Sequence, residues 1–112
     1  MVRSTMRIIA RRALKEFVAG LAGRKDQPAV KAAVDAWFAE VSRAAWNDPA
    51  DVKRRYATAS IVTAERIVFN IKCNDYRLVV AVDFEKAIVW IKWIGTHKAY
   101  DKIDVTEVDH DD

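Results

Sequence analysis

Two short stretches of this chain carry side chains that could act together on a phosphate. In "FNIKCNDYRL", Asn70, Lys72, Asn74 and Arg77 crowd around one turn. In "GTHKAYDKI", His97 is followed by Tyr100 and Asp101. An imidazole, a phenol and cations around one phosphate are what RNA cleavage without a metal requires. A base takes the proton from a ribose 2′-hydroxyl, cations hold the pentavalent phosphorane, and an acid protonates the leaving 5′-oxygen. Arg77 can fork two phosphate oxygens, Lys72 or Lys92 can add a point charge, and Trp90 can stack a base. Each residue also has an ordinary reading. Lys and Arg decorate solvent-facing strand positions, a tryptophan covers a minor core, and a lone surface histidine is more often inert than catalytic.

Other chemistries have less support. There is no glycine-rich phosphate loop, which argues against nucleotide hydrolysis. His97 and His110, 13 positions apart, do not make a zinc motif. Ser4, Ser42 and Ser60 sit in no nucleophile elbow. No metal or cofactor is expected. Cys73, the only cysteine, cannot close an internal disulfide and reads as a small buried or edge residue, in keeping with a reducing compartment.

The candidate groups need a frame. After Tyr56 the apolar period becomes two, and "TASIV", "RIVFNI", "YRLVVAV" and "AIVWIKWI" read as four strands joined by short turns. Pairing Ile71 with Tyr76 puts Phe69 opposite Leu78 and Ile67 opposite Val80 on one apolar side. Asn70 then faces Arg77, and Val68 faces Val79, on the other. A one-residue shift mixes the two sides, so this register is preferred. Pairing Asp83 with Ile88 sets Val82, Val80 and Leu78 opposite Val89, Ile91 and Trp93. Arg77, Val79 and Ala81 then face Ile94, Lys92 and Trp90. The second side is thus expected to be a half-open surface of Asn70, Arg77, Lys92 and Trp90, with Lys72 at its edge. Gly95 is expected to end the last strand and Thr96 to cap a short helix that begins at His97.

Upstream, "RIIA" is a candidate first strand. Leu14, Phe17, Val18 and Leu21 follow at helical spacing, and "GRKDQP" is a loop. From Pro28 a stripe of Val30, Val34, Trp37, Phe38 and Val41 predicts a longer helix. Asp48 before Pro49 marks a helical turn near 49–55. The expected fold is α+β: an N-terminal strand and two helices packed on one face of a mostly antiparallel sheet of about four to five strands.

At 112 residues the chain is expected to form a single domain, with 1–5 as a possible extension before a start at Met6 and 105–112 as an acidic tail. Residues 1–77 hold 15 Lys/Arg against 8 Asp/Glu, and residues 78–112 hold 4 against 8. A basic body suits an anionic partner. The tail reads as a solvated, frayed terminus or as a screen over the basic surface. Lys53, Arg54 and Arg55 are either an RNA grip that weakens with salt or a solvated helix face. No run fits a secretory signal or the ~18 apolar residues of a membrane span, so a cytoplasmic protein is expected.

The motifs "FNIKxNxYRL" and "THxxYD", with "MRIIARRALKEF" and "AWFAEVSRAAWNDPADVKRRY" before them, resemble the HigB-type toxins of bacterial type II toxin–antitoxin modules, within the RelE-like superfamily. The resemblance runs from about Met6 to Asp104. It implies a RelE-like fold and an mRNA endonuclease acting on translated message in the ribosomal A site. It also implies neutralisation by a helix-turn-helix antitoxin of the HigA type, encoded next to the toxin. The family motif carries over onto Asn70, Lys72, Asn74, Tyr76, Arg77, His97, Tyr100 and Asp101. The roles expected are His97 as base or acid, Arg77 and Lys72 as transition-state clamps, and Tyr100 as an auxiliary donor. Asn70 and Asn74 position a phosphate or base edge, while Tyr76 and Asp101 are structural. Two other readings remain open: a non-catalytic ParE-like inhibitor of a protein target such as a topoisomerase, and an inactive regulator that only binds an antitoxin.

Overall fold

The alternation after Tyr56 becomes a sheet with one side dry and the other partly covered. The computed structural model describes residues 4–109; the expectations for residues 1–3 and 110–112 lie outside them. The elements run β1 (Arg7–Ile9), α1 (Arg11–Ala19), α2 (Gln27–Arg43), α3 (Pro49–Arg55), β2 (Ser60–Ile61), β3 (Arg66–Ile71), β4 (Tyr76–Asp83), β5 (Ile88–Thr96) and α4 (His97–Tyr100). The sheet order is β1-β5-β4-β3-β2, with β1 parallel to β5 and the other pairs antiparallel. This is the α+β arrangement expected, with "TASIV" reduced to the two residues of β2.

The apolar stripe of α2 buries Val30, Val34, Trp37 and Val41. They share one core with Leu14 of α1 and with Ile67, Phe69, Leu78, Val80, Val89 and Ile91 of the sheet. Phe69 is its aromatic centre. Its ring lies 5.0 Å from Tyr56 and 5.4 Å from Trp37, both edge-on, and 6.3 Å from Trp46 in a stack. Edge-to-face and offset contacts of this kind suit the ring quadrupole and add to the area buried. At α3, Pro49 takes the first turn and the Asp48 carboxylate accepts from the Asp51 N–H, as the sequence anticipates.

The β3–β4 register is the one expected: Ile71↔Tyr76, Asn70↔Arg77, Phe69↔Leu78, Val68↔Val79 and Ile67↔Val80. The β4–β5 register agrees from Asp83↔Ile88 to Val80↔Ile91 and then shifts by one residue. A β-bulge leaves Lys92 unpaired. Trp93 therefore faces Val79, Ile94 faces Leu78, and Gly95 faces Arg77. The expected pairs Leu78–Trp93, Val79–Lys92 and Arg77–Ile94 are thus corrected. The physical reason is steric. Ile94 returns to the core side, while the Trp93 indole lies over Gly95, where a Cβ would come within 2.6 Å of the ring. Gly95 does not end β5, which continues to Thr96; it makes room for Trp93.

The second side of the sheet is less open than expected. Val68 and Val79 are buried there, outside the main core. The chain after α4 folds back onto the strands at Arg66 and Lys92. Arg66 Nη1 donates to the carbonyl of Val108 at 2.7 Å and to that of Val105 at 3.4 Å. Lys92 pairs with Asp109 at 3.0 Å. Residues 105–109 are therefore a strap and not a frayed end, because their carbonyls and Asp109 meet cations on the strands and their valines are half-buried.

Candidate active site

The loop between β3 and β4 is held in an uncommon shape. Closing Ile71 onto Tyr76 leaves Lys72–Asp75 as the connection, and Lys72 and Cys73 adopt φ of 50° and 58°. Left-handed backbone is unfavourable for side-chain-bearing residues, and it persists only where the surroundings enforce it. Cys73 is exposed at this tip and not buried. The loop closes on itself through the Asp75 N–H to the Lys72 carbonyl at 3.2 Å, and Lys72 Nζ meets the Asp75 carboxylate at 3.0 Å. That hydrogen bond raises the Lys72 pKa and keeps the ammonium charged. Arg77 Nη1 donates to the Asn74 carbonyl at 2.8 Å, which lays the guanidinium against the loop.

His97 arrives from the neighbouring strand. The Tyr76↔Thr96 pair brings the end of β5 to the start of β4, and the His97 N–H donates to the Asp75 carbonyl at 3.0 Å. Thr96 caps α4 by accepting from the Ala99 N–H at 3.0 Å. The His97 ring is exposed, with Nε2 4.0 Å from Asp101 one helical turn on. Tyr100 is half-buried, its ring 6.2 Å from that of Trp93. The backbone thus brings the start of α4, with His97 and Tyr100, next to the loop that bears Lys72 and Asn74 and to the start of β4, where Arg77 alternates with the inward-facing Tyr76. Asn70 lies beside Arg77 on β3, its amide donating to the Thr58 carbonyl at 3.4 Å. An open cavity of about 300 Å³ at this corner is lined by Asn74, Thr96, His97 and Lys98 and, from the loop before α2, Arg24 and Asp26.

The other candidates lie apart. Trp90 faces Ala81, four residues along β4 from Arg77, or about 13 Å at the usual strand rise. It lines a separate cavity with Glu65, Asp83 and Glu85, an acidic setting for a base-stacking ring. Lys92 is drawn to Asp109 and sits near Glu16 and Phe17 of α1. Lys53 donates to the carbonyls of Ala57 and Ala59, both at 2.7 Å. Arg54 pairs with Asp51, and Arg55 with Glu40 at 3.0 Å. These three are exposed, and the 57–59 loop held by Lys53 also holds Asn70 through Thr58. Among the described residues no group of three or more His, Cys, Asp or Glu is arranged to hold a metal.

Four residues of the corner escape a sequence reading. Lys98 is signalled only by adjacency to His97. Trp93, expected opposite Leu78, instead faces Val79 and brings its ring beside Tyr100. Arg24 and Asp26 carry no local signal, since they meet Tyr76 across the fold. The Tyr76 hydroxyl donates to Asp26 Oδ2 at 2.6 Å, and Arg24 Nε donates to Oδ1 at 3.0 Å. The hydrogen bond from Arg24, then that from Tyr76, holds the Asp26 carboxyl down to about 2. Tyr76 is pushed the other way, chiefly by burial and then by its bond to Asp26, so it stays protonated.

A depressed carboxylate pKa has a defined consequence for acid stability. The Asp26 contribution is complete above its unfolded pKa of ~3.9 and is lost as pH falls through about 2. Asp26→Asn is expected to remove this part of the acid-side decline in denaturant melts between pH 5 and 2. Parallel pH slopes for the two proteins would show that the carboxylate is not linked to folding.

An α+β sheet of this order, with two helices on one side and a polar corner at the end of its central hairpin, is a RelE-like architecture. Residues 30–103 match the model of the HigB toxin family, the RelE-like toxic component of a toxin–antitoxin system, and the chain belongs to that family. It is therefore the toxin of such a system, and the family implies an antitoxin as partner. No curated protein matches the chain. The matched span includes Asn70, Lys72, Asn74, Arg77, His97 and Tyr100; β1, α1, Arg24, Asp26 and the strap lie outside it. Among the described residues no helix is long and apolar enough to cross a membrane.

Proposed function

We propose that this toxin is an mRNA endonuclease that cuts translated message on the ribosome, in the cytoplasm, without a metal ion. The observation that carries the reading is the bond from the His97 N–H to the Asp75 carbonyl, which joins α4 to the loop bearing Lys72, Asn74 and Arg77. On this reading the exposed imidazole and the two half-buried cations act on one phosphodiester. In the reaction, His97 acts as base or acid. The 2′-oxygen loses its proton and attacks phosphorus, and the P–O5′ bond breaks as the 5′-oxygen gains a proton. The products are a 2′,3′-cyclic phosphate and a 5′-hydroxyl, with no net change in protons. Arg77 and Lys72 stabilise the charge on the phosphorane, Tyr100 donates a further hydrogen bond, and Asn70 and Asn74 orient the strand.

Lys53, Arg54 and Arg55 are exposed on α3, which the 57–59 loop links to Asn70, and would bind RNA in a salt-dependent way. Trp90 and Lys92 would meet only RNA that extends beyond the cleaved linkage. The antitoxin is proposed to be a helix-turn-helix protein of the HigA type.

Expression of the toxin without its antitoxin, followed by mapping of transcript 5′ ends, tests the reading. Growth arrest with new 5′-hydroxyl ends inside translated codons is expected. Intact transcripts with arrested replication would instead identify a ParE-like inhibitor of a topoisomerase. Harmless expression would identify an inactive antitoxin-binding regulator.

A further inference from the structure

Asp26 behaves unlike an ordinary residue at a helix start. It occupies the N-cap position of α2, where a carboxylate usually turns to its own helix, yet its side chain makes no cap bond. It is aimed instead at Tyr76, 50 residues away, and Arg24 forks it from the solvent side with contacts of 3.0 and 3.4 Å. Tyr76 is 1% exposed and its ring packs edge-on against Phe17 at 5.7 Å. Only the hydroxyl end of this buried side chain is addressed by a charge.

Tyr76 is also the hinge of the candidate site. It follows the strained residues Lys72 and Cys73, pairs with Thr96, and separates Asp75, which holds the His97 N–H, from Arg77. The bonds within the loop fix its own shape but do not tie it to the helices. The hydrogen bond to Asp26 ties the base of this loop to the helical layer. We propose that Asp26 is a positioning residue for RNA cleavage, acting through Tyr76 to hold Arg77 and the His97 backbone in register around one phosphodiester. The inference rests on the endonuclease reading above. Asp26 touches no substrate; its effect is geometric, and small misplacements of catalytic groups are costly.

Asp26→Ala and Tyr76→Phe are expected to slow single-turnover cleavage of a short message on programmed ribosomes by ~10- to 100-fold, with KM little changed. Asp26→Asn keeps an acceptor for the Tyr76 hydroxyl and is expected to recover most of the rate. The double variant Asp26→Ala/Tyr76→Phe should be no slower than either single one, since both remove the same bond. Measured well below each protein's melting temperature, a merely stabilising role leaves the rate of the chemical step untouched. Tyr76→Phe retains the buried ring and carries the test should Asp26→Ala fail to fold. Wild-type rates in both Asp26→Ala and Tyr76→Phe, beside a wild type that cuts, would overturn the positioning role alone. Asp26→Asn as slow as Asp26→Ala would overturn the hydrogen-bond route. Failure of the wild type to cut the same message would overturn the endonuclease reading, and this inference with it.

Discussion

Arg77→Ala is expected to lower cleavage of translated message by ~10²- to 10³-fold, the usual loss when a preorganised donor to a developing oxyanion is removed. His97→Ala should cost ~10²- to 10⁴-fold, the range for loss of a proton-transfer group. The two losses have different origins. Arg77 is braced by the Asn74 carbonyl at 2.8 Å and faces Gly95, a position with no side chain of its own. On the proposed reading this bond sets the guanidinium before substrate arrives, and preorganisation is what makes a charge effective in the transition state. Arg77→Lys should remain impaired, because an ammonium cannot fork two phosphate oxygens from the same braced position. His97 is exposed, so its replacement should leave folding intact while removing the imidazole. Cleavage rates on programmed ribosomes, with melting curves as controls, check both variants. Wild-type rates in both would remove this corner as the catalytic site and leave family membership standing.

Phe69→Ala is expected to destabilise the protein by about 3–5 kcal/mol, as large aromatic truncations in packed cores do. Phe69 is 1% exposed and its ring is in contact with Tyr56, Trp37 and Trp46. Three rings drawn from α2 and the segments around α3 cannot collapse together into the void, because each is fixed by its own element. The loss is a large share of the ~5–15 kcal/mol that stabilises a small domain. Thermal unfolding should shift down by on the order of 10–20 °C. A shift of only a few degrees would mean that the aromatic cluster repacks around the void. The same substitution should loosen Asn70, the next residue of β3, and so weaken the hairpin that carries the candidate site.

Both expectations rest on a hairpin whose register was legible without coordinates. Ile67, Phe69 and Ile71 alternate with Val68 and Asn70, and Leu78 and Val80 alternate with Arg77 and Val79. A period-two pattern with one dry side admits one good pairing. Beyond Ile91 the pattern admits more than one pairing. In "IKWIG" both Trp93 and Ile94 are apolar, and hydrophobicity alone does not say which turns inward. The bulge at Lys92 decides it, and the bulge depends on the fit of an indole over Gly95. Parity along the strands alone groups Trp90 and Lys92 with Arg77. Length along the strand and the pull of Asp109 separate them in space.

The chain's order of residues was enough to determine the α+β class, the central hairpin, the cap at Asp48 and the toxin family, since each depends on periodicity or on neighbours close in sequence. The strap bound to Arg66 and Lys92, the bulge at Lys92 and the contact of Asp26 with Tyr76 were decided only when the chain closed on itself. Those features join residues far apart in sequence. Their energies depend on the shape of the space between them, which no local pattern records.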